Sequence, residues 1–136
     1  MSAFLDSTSS FHIESTRVTP HVAYHSDTEL LEIKGVSSPD NTPSFYAPVF
    51  AFIESIPSYN INHLQVRFAL LYFNSSSAKA FYTMLKKLKD LSGIITFSID
   101  WICDEDDEDM IESIEDFNDL LGLEIQIVIE KENSYE

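Results

Sequence analysis

Residues 63–91 read HLQVRFALLYFNSSSAKAFYTMLKKLKDL. Leu64, Val66, Phe68, Leu70 and Tyr72 fall at every second position, the period of a strand. From Ala69 to Phe73 both sets of positions are apolar, which predicts a central strand covered on two sides. The run stops abruptly at Asn74-Ser75-Ser76-Ser77. Then Phe81, Met84, Leu85 and Leu88 recur at i, i+3, i+4 and i+7, the stripe of an amphipathic helix. Asn74 or one of the serines can cap that helix, because their side-chain oxygens accept from first-turn amides. The stretch is therefore strand, polar turn, helix. It sets three hydroxyls at a helix N-terminus, where unsatisfied amides and the dipole favour negative charge.

The flanking sequence repeats the theme. Downstream, Ser92-Gly93 is expected to close the helix, with Gly93 in the usual C′ role. A strand follows over 94–102, with Ile95, Phe97, Ile99 and Trp101 on one face. Six consecutive acids come next: Asp104, Glu105, Asp106, Asp107, Glu108 and Asp109. Met110, Ile114, Phe117 and Leu121 then mark a further helix, ended by Gly122. Leu123, Ile125, Ile127 and Ile129 alternate with polar residues in a half-exposed last strand. Upstream, Val22 to His25 and 30–36 form a hairpin around Ser26-Asp27-Thr28. Gly35 suggests a bend. The 37–43 loop leads into a helix over Ser44 to Ser55 with Phe45, Val49, Phe52 and Ile53 inward, Pro48 near its start and Pro57 after it. The order is ββαβαβαβ: one α/β domain with a mixed, roughly five-stranded sheet and three helices. Residues 11–14 are at most a short extended piece, and 1–10 and 131–136 are expected to be a disordered N-terminal tail and a polar C-terminal tail.

The last three strands are joined by helices and should be parallel, with right-handed crossovers. Their C-terminal loops then gather along one edge, the usual place for ligands and partners. The serine turn and the acidic loop both belong to that edge, and so does the 37–43 loop if the second strand of the hairpin runs parallel to the third strand.

Composition narrows the function. The chain has 136 residues, 44% hydrophobic, with one cysteine, Cys103, so it can bury a real core and holds no internal disulfide. A reducing, cytoplasmic setting is expected, since no signal peptide or bilayer-spanning run is visible. The net charge of −15, from 8 bases and 23 acids, disfavours nucleic acid and anionic membrane as partners. Nine of those acids lie in 104–116 and four of the bases, Lys79, Lys86, Lys87 and Lys89, lie in the helix after the serines. Such asymmetry suits a protein partner, or simply two solvated helix faces.

Three chemistries remain. Ser75 leads the turn and is the favoured phosphoacceptor, with Ser76 and Ser77 behind it and Asn74 beside it. Lys79, four residues on, could reach a phosphate on that helix end. The plainer alternative is ordinary N-capping. The acidic loop could hold a divalent cation through its oxygens. It lacks the glycine and the ligand spacing of an EF-hand, and acids also favour the first turn of a helix. Hydrolysis finds no GxSxG elbow, most of the four histidines are expected on the surface or near strand ends, and Cys103 adjoins acids that oppose a thiolate. No cofactor loop and no zinc-type Cys/His spacing is present. The residues therefore point to a non-enzymatic protein without cofactor or metal.

Three blocks carry a resemblance. Leu71-Tyr72-Phe73-Asn74-Ser75-Ser76-Ser77-Ala78-Lys79-Ala80, the 104–110 acidic block followed by Glu115-Asp116-Phe117, and Gly35-Val36-Ser37-Ser38-Pro39-Asp40-Asn41 with Phe45-Tyr46 resemble the SiaC-type regulatory phosphoproteins of bacteria. The likeness runs over roughly residues 11–130. It implies a fold similar to that of anti-sigma-factor antagonists (STAS-like), and a partner switch controlled by phosphorylation. A cognate kinase would phosphorylate the first hydroxyl after the Asn, here Ser75 in place of the usual Thr, and a PPM-type phosphatase would remove the phosphate. The unphosphorylated form would bind and activate an effector such as a GGDEF diguanylate cyclase. The partner edge so implied comprises Ser38, Pro39, Asp40 and Asn41 with Asp104 to Asp109. The rival reading is a constitutive acidic adaptor in which Ser75 is only a helix cap.

Overall fold

The structure is a computed structural model and describes residues 11–130. The two expected tails, 1–10 and 131–136, lie outside the described residues. Six strands form one sheet in the order of the sequence: β1 Phe11–Ile13, β2 His21–His25, β3 Leu30–Ser37, β4 His63–Phe73, β5 Thr96–Cys103 and β6 Gln126–Ile129. The sixth strand, against the expected five, is the short piece at Phe11–Ile13, which pairs antiparallel with β2. β2 and β3 form the expected antiparallel hairpin, and β3 to β6 run parallel. Helices α1 Thr42–Ser55, α2 Ser75–Asp90 and α3 Glu108–Leu121 make the three crossovers. No helix among the described residues is long and apolar enough to cross a membrane.

Each new parallel strand is laid beside the previous one in the same direction. Right-handed crossovers then place all three helices on one face of the sheet. The burial of β4 reports this one-sidedness: Leu64, Val66, Phe68 and Leu70 are buried, whereas Gln65, Arg67 and Ala69 are half-buried. The two-sided cover expected for 69–73 is therefore not formed. Leu71 is 78% exposed and Tyr72 55%. Register supplies a second cause. Pairing of β4 with β5 ends at Phe68–Trp101, so the last five residues of β4 have a neighbour only in β3. There Gly35 faces Leu70 and Val36 faces Tyr72, so Leu71 is an extra, bulged residue. Gly35, at φ +122°, takes a conformation that side chains with a Cβ rarely adopt.

The helix caps follow the sequence in part. Asn41 caps α1, its side chain accepting from the Ser44 amide at 3.1 Å. The helix thus begins at Thr42, earlier than expected, and Pro48 lies in its second turn. Tyr46 is buried and Phe45 half-buried, the reverse of the inward face expected. Gly122, at φ +66°, ends α3 as expected. Gly93 does not act as a C′ glycine, since its φ is not positive. α2 ends instead at Leu91, whose amide donates to Leu88 O at 3.0 Å. Cys103 is buried, and burial, with Asp107 and Asp104 behind it, pushes its thiol pKa up. A reactive thiolate is disfavoured there.

Candidate phosphoacceptor turn at the N-terminus of α2

The turn at 74–77 is built by register. Ser37 and Phe73 are paired at the ends of β3 and β4, so the loops that follow them leave the sheet level with each other. The Asn74 amide donates to Ser37 O at 3.0 Å, and the Asn74 side-chain amide donates to Ser38 Oγ at 3.2 Å. Asn74 Oδ1 accepts from the Ser77 amide at 2.9 Å and so caps α2. The capping role open to the serines thus falls to Asn74.

The three serines meet three environments. Ser77 is fully buried, with Oγ 2.7 Å from Ser37 Oγ and donating to Ser37 O at 3.0 Å. Ser37 Oγ lies in turn 2.6 Å from the hydroxyl of buried Tyr46. Ser76 is exposed but engaged: its Oγ lies 2.7 Å from Thr42 Oγ1 and donates to Asn74 Oδ1 at 3.2 Å. Ser75 is exposed, occupies the first helical position, and its hydroxyl has no hydrogen bond among the described residues. First-turn amides have no intrahelical acceptor, so an anionic group on Ser75 would meet free donors and the positive end of the dipole. Lys79 is exposed and forms no ion pair among the described residues.

The buried chain Tyr46–Ser37–Ser77 locks α1, β3 and α2 together beneath the turn. It escaped the sequence reading because its members are 9 and 40 residues apart. Burial pushes the Tyr46 pKa up to about 12, with the Ser37 hydrogen bond acting in the opposite direction. An unfolded tyrosine ionises near 10, so between pH 10 and 12 the unfolded chain holds fewer protons than the folded one. Stability contributed by neutral Tyr46 is complete below pH 10 and is lost as pH rises, at up to about 1.4 kcal/mol per unit. Tyr46→Phe is expected to cost about 1 kcal/mol at pH 8, and its deficit against the parent should shrink above pH 10. Urea denaturation across that range measures both; a deficit that stays constant with pH contradicts the assignment.

The remaining edge residues divide. Ser38 joins the turn through Asn74, and Asn41 caps α1; Asp40 is exposed. Pro39, expected on the partner edge, is buried and offers it no side chain. The acids are only partly a loop. Asp104 Oδ1 accepts from the Asp106 amide at 2.8 Å, Asp107 caps α3 through the Met110 amide at 3.1 Å, and Glu108 and Asp109 fill its first turn. Glu105 and Asp106 are exposed. Among the described residues no hydrogen bond or ion pair joins the acids to the 74–77 turn. Asn74 follows the paired residue Phe68 by six positions, whereas Asp104 follows Trp101 by three, so the turn stands beyond the acidic segment. Its hydrogen-bonded neighbours are instead Ser37, Ser38 and Thr42, and shortly before it in the chain the exposed Leu71 and Tyr72 offer a small apolar rim that the sequence reading had placed in the core.

Comparison with known proteins adds the lineage. The sequence profile of the SiaC family regulatory phosphoproteins matches residues 13–130. An uncharacterised protein of Pseudomonas aeruginosa strain UCBPP-PA14 is 29% identical over 112 residues, covering 82% of this chain and 89% of that one. Apo-SiaC from Pseudomonas aeruginosa is similar in structure at a TM-score of 0.79 and 26% identity, over 88% of this chain and 98% of its own. SiaC from the crystal structure of the diguanylate cyclase SiaD in complex with its activator SiaC, also from Pseudomonas aeruginosa, gives a TM-score of 0.81 at 26% identity, over 88% and 99%. The matched span takes in the hairpin, all three crossovers and the serine turn, and the chain belongs to the SiaC family of regulatory phosphoproteins.

Proposed function

We propose that this protein is a phosphorylation-controlled partner switch without catalytic activity of its own. In its unphosphorylated form it binds and activates a GGDEF diguanylate cyclase, as the SiaC relative does as the activator of SiaD. A kinase adds phosphate to Ser75, and a PPM-type phosphatase removes it, in the cytoplasm. The observation that carries this reading is the difference among the three serines: only Ser75 combines an exposed position at the N-terminus of α2 with an unengaged hydroxyl.

The switch acts through charge at a contact surface. The unmodified turn, with Leu71 and Tyr72 beside it, can be covered by a partner at little cost. A phosphate adds a charge of about −1.5 to −2, which the partner would have to desolvate. Its own first-turn amides, with Lys79 four residues along, hold the phosphate in place on the free protein. Repulsion by Asp104 to Asp109 is secondary, because the turn stands beyond them.

Mass spectrometry of tryptic peptides from the native cells tests the reading. Phosphate on Ser75, removed by phosphatase treatment, is the expected result. An unmodified Ser75 under every growth condition, alongside a stable complex with a partner, would point to a constitutive acidic adaptor.

A further inference from the structure

On the face of the sheet opposite the helices, the hairpin gathers three potential metal ligands. His21 and His25 are four residues apart on β2 and project to the same side, with Ala23 between them. Glu32 on β3 is paired with Ala23, which brings its carboxylate between the two imidazoles. His21 Nε2 and His25 Nε2 lie 3.5 and 3.8 Å from the same carboxylate oxygen, Glu32 Oε1. All three donor atoms lie within 4.8 Å of one another, and all three residues are half-buried.

We propose that His21, His25 and Glu32 form a binding site for a zinc-class divalent ion, with His12 orienting His21. Zinc takes imidazole and carboxylate donors at about 2.0–2.2 Å, in tetrahedral sites whose donors are about 3.3 Å apart. Small side-chain rotations close the present triangle to that size. The nitrogen–carboxylate separations are longer than good hydrogen bonds, so no tight bond within the triangle has to be broken for an ion to enter.

The surroundings supply the other requirements. His21 Nδ1 lies 3.1 Å from His12 Nε2. Donation from Nδ1–H to His12 leaves the lone pair of His21 on Nε2, facing the site, which is the outer-shell arrangement of metal-bound histidines. Glu32 is also paired in register with Arg67 on β4, yet the two form no ion pair among the described residues. Two imidazoles select a transition ion over calcium or magnesium. Three protein ligands leave a fourth position for water or for a donor from a partner. The sequence alone conceals the site, because a His-x-x-x-His spacing gains its third ligand only from the strand register.

The test is a zinc titration of tag-free, chelator-treated protein, read by competition with a chromophoric zinc chelator. One equivalent is expected to bind. His25→Ala and Glu32→Gln should each weaken binding at least tenfold, and His12→Ala about tenfold. Asp106→Asn, in the acidic segment, should leave it unchanged. Far-ultraviolet circular dichroism of each variant checks that the fold is kept, and the histidine ring protons followed by NMR in the parent protein read ligation directly. Absence of binding, binding undiminished in His25→Ala, or binding lost in Asp106→Asn would each overturn the site.

Discussion

Ser75→Asp is expected to weaken binding to the proposed diguanylate cyclase partner by at least about thirtyfold, while Ser75→Ala binds within a few-fold of the parent protein. The two variants separate charge from hydroxyl. Ser75 Oγ has no hydrogen bond among the described residues, so Ser75→Ala breaks no bond in the free protein. A carboxylate at that exposed first helical position would be desolvated by any partner covering the turn. Leaving such a charge buried without a counter-ion costs about 2–5 kcal/mol, which amounts to about thirtyfold to a few thousandfold. The same aspartate does the fold no harm. A carboxylate in the first turn interacts favourably with the helix dipole, by about 0.3–1 kcal/mol. Ser75→Asp should therefore melt at or slightly above the parent temperature while binding weakly. Calorimetry for binding and for melting reads the two effects separately. Wild-type affinity in both variants would sink the charge switch, and a binding defect accompanied by a lower melting temperature would trace the loss to damaged folding.

Much of the fold was legible because its elements are long and periodic. The alternation of Leu64, Val66, Phe68 and Leu70, followed by the stripe at Phe81, Met84, Leu85 and Leu88, describes β4 and α2 as they stand. The hairpin, the parallel crossovers and Gly122 follow from equally local signals. What escaped depends on long-range arrangement. The exposure of Leu71 and Tyr72 follows from helices gathered on one face and from a bulge opposite Gly35, neither of which hydropathy records. Tyr46 rather than Phe45 turns inward where Ser37 offers its hydroxyl a partner and Phe81 meets its ring. At the turn, chain order singles out Ser75 as the leading hydroxyl, but nothing local tells which of the three serines are engaged. It is the level ends of β3 and β4 that bury Ser77, engage Ser76 and leave Ser75 outside.

Phe81→Ala is expected to cost about 3–5 kcal/mol of stability, a large part of the roughly 5–15 kcal/mol of an ordinary domain. The ring is fully buried and is the hub of the aromatic core. It meets Tyr46, Phe68, Phe73 and Trp101 edge-on, with centroids 5.6, 5.4, 5.3 and 6.0 Å away. Those neighbours belong to α1, β4 and β5, and Phe68 and Trp101 are themselves stacked at 4.2 Å. Rings fixed by so many partners collapse poorly into the space left by a truncated side chain, so the cavity persists and its cost adds to the lost transfer energy. The turn feels the loss as well. Phe81 fastens α2 to the sheet little more than one helical turn beyond Ser77, and Phe73 directly precedes Asn74. Phe81→Ala should accordingly speed amide exchange at Ser77 and its neighbours more than in α3, and weaken partner binding without altering a contact residue. Phe81→Leu, which keeps most of the volume, should cost well under half as much. Denaturation midpoints give the stability difference and hydrogen exchange its location. A cost for Phe81→Ala below about 1 kcal/mol would mean that the core closes around the gap, and that the hydrogen-bonded chain Tyr46–Ser37–Ser77, rather than aromatic packing, holds the turn in place.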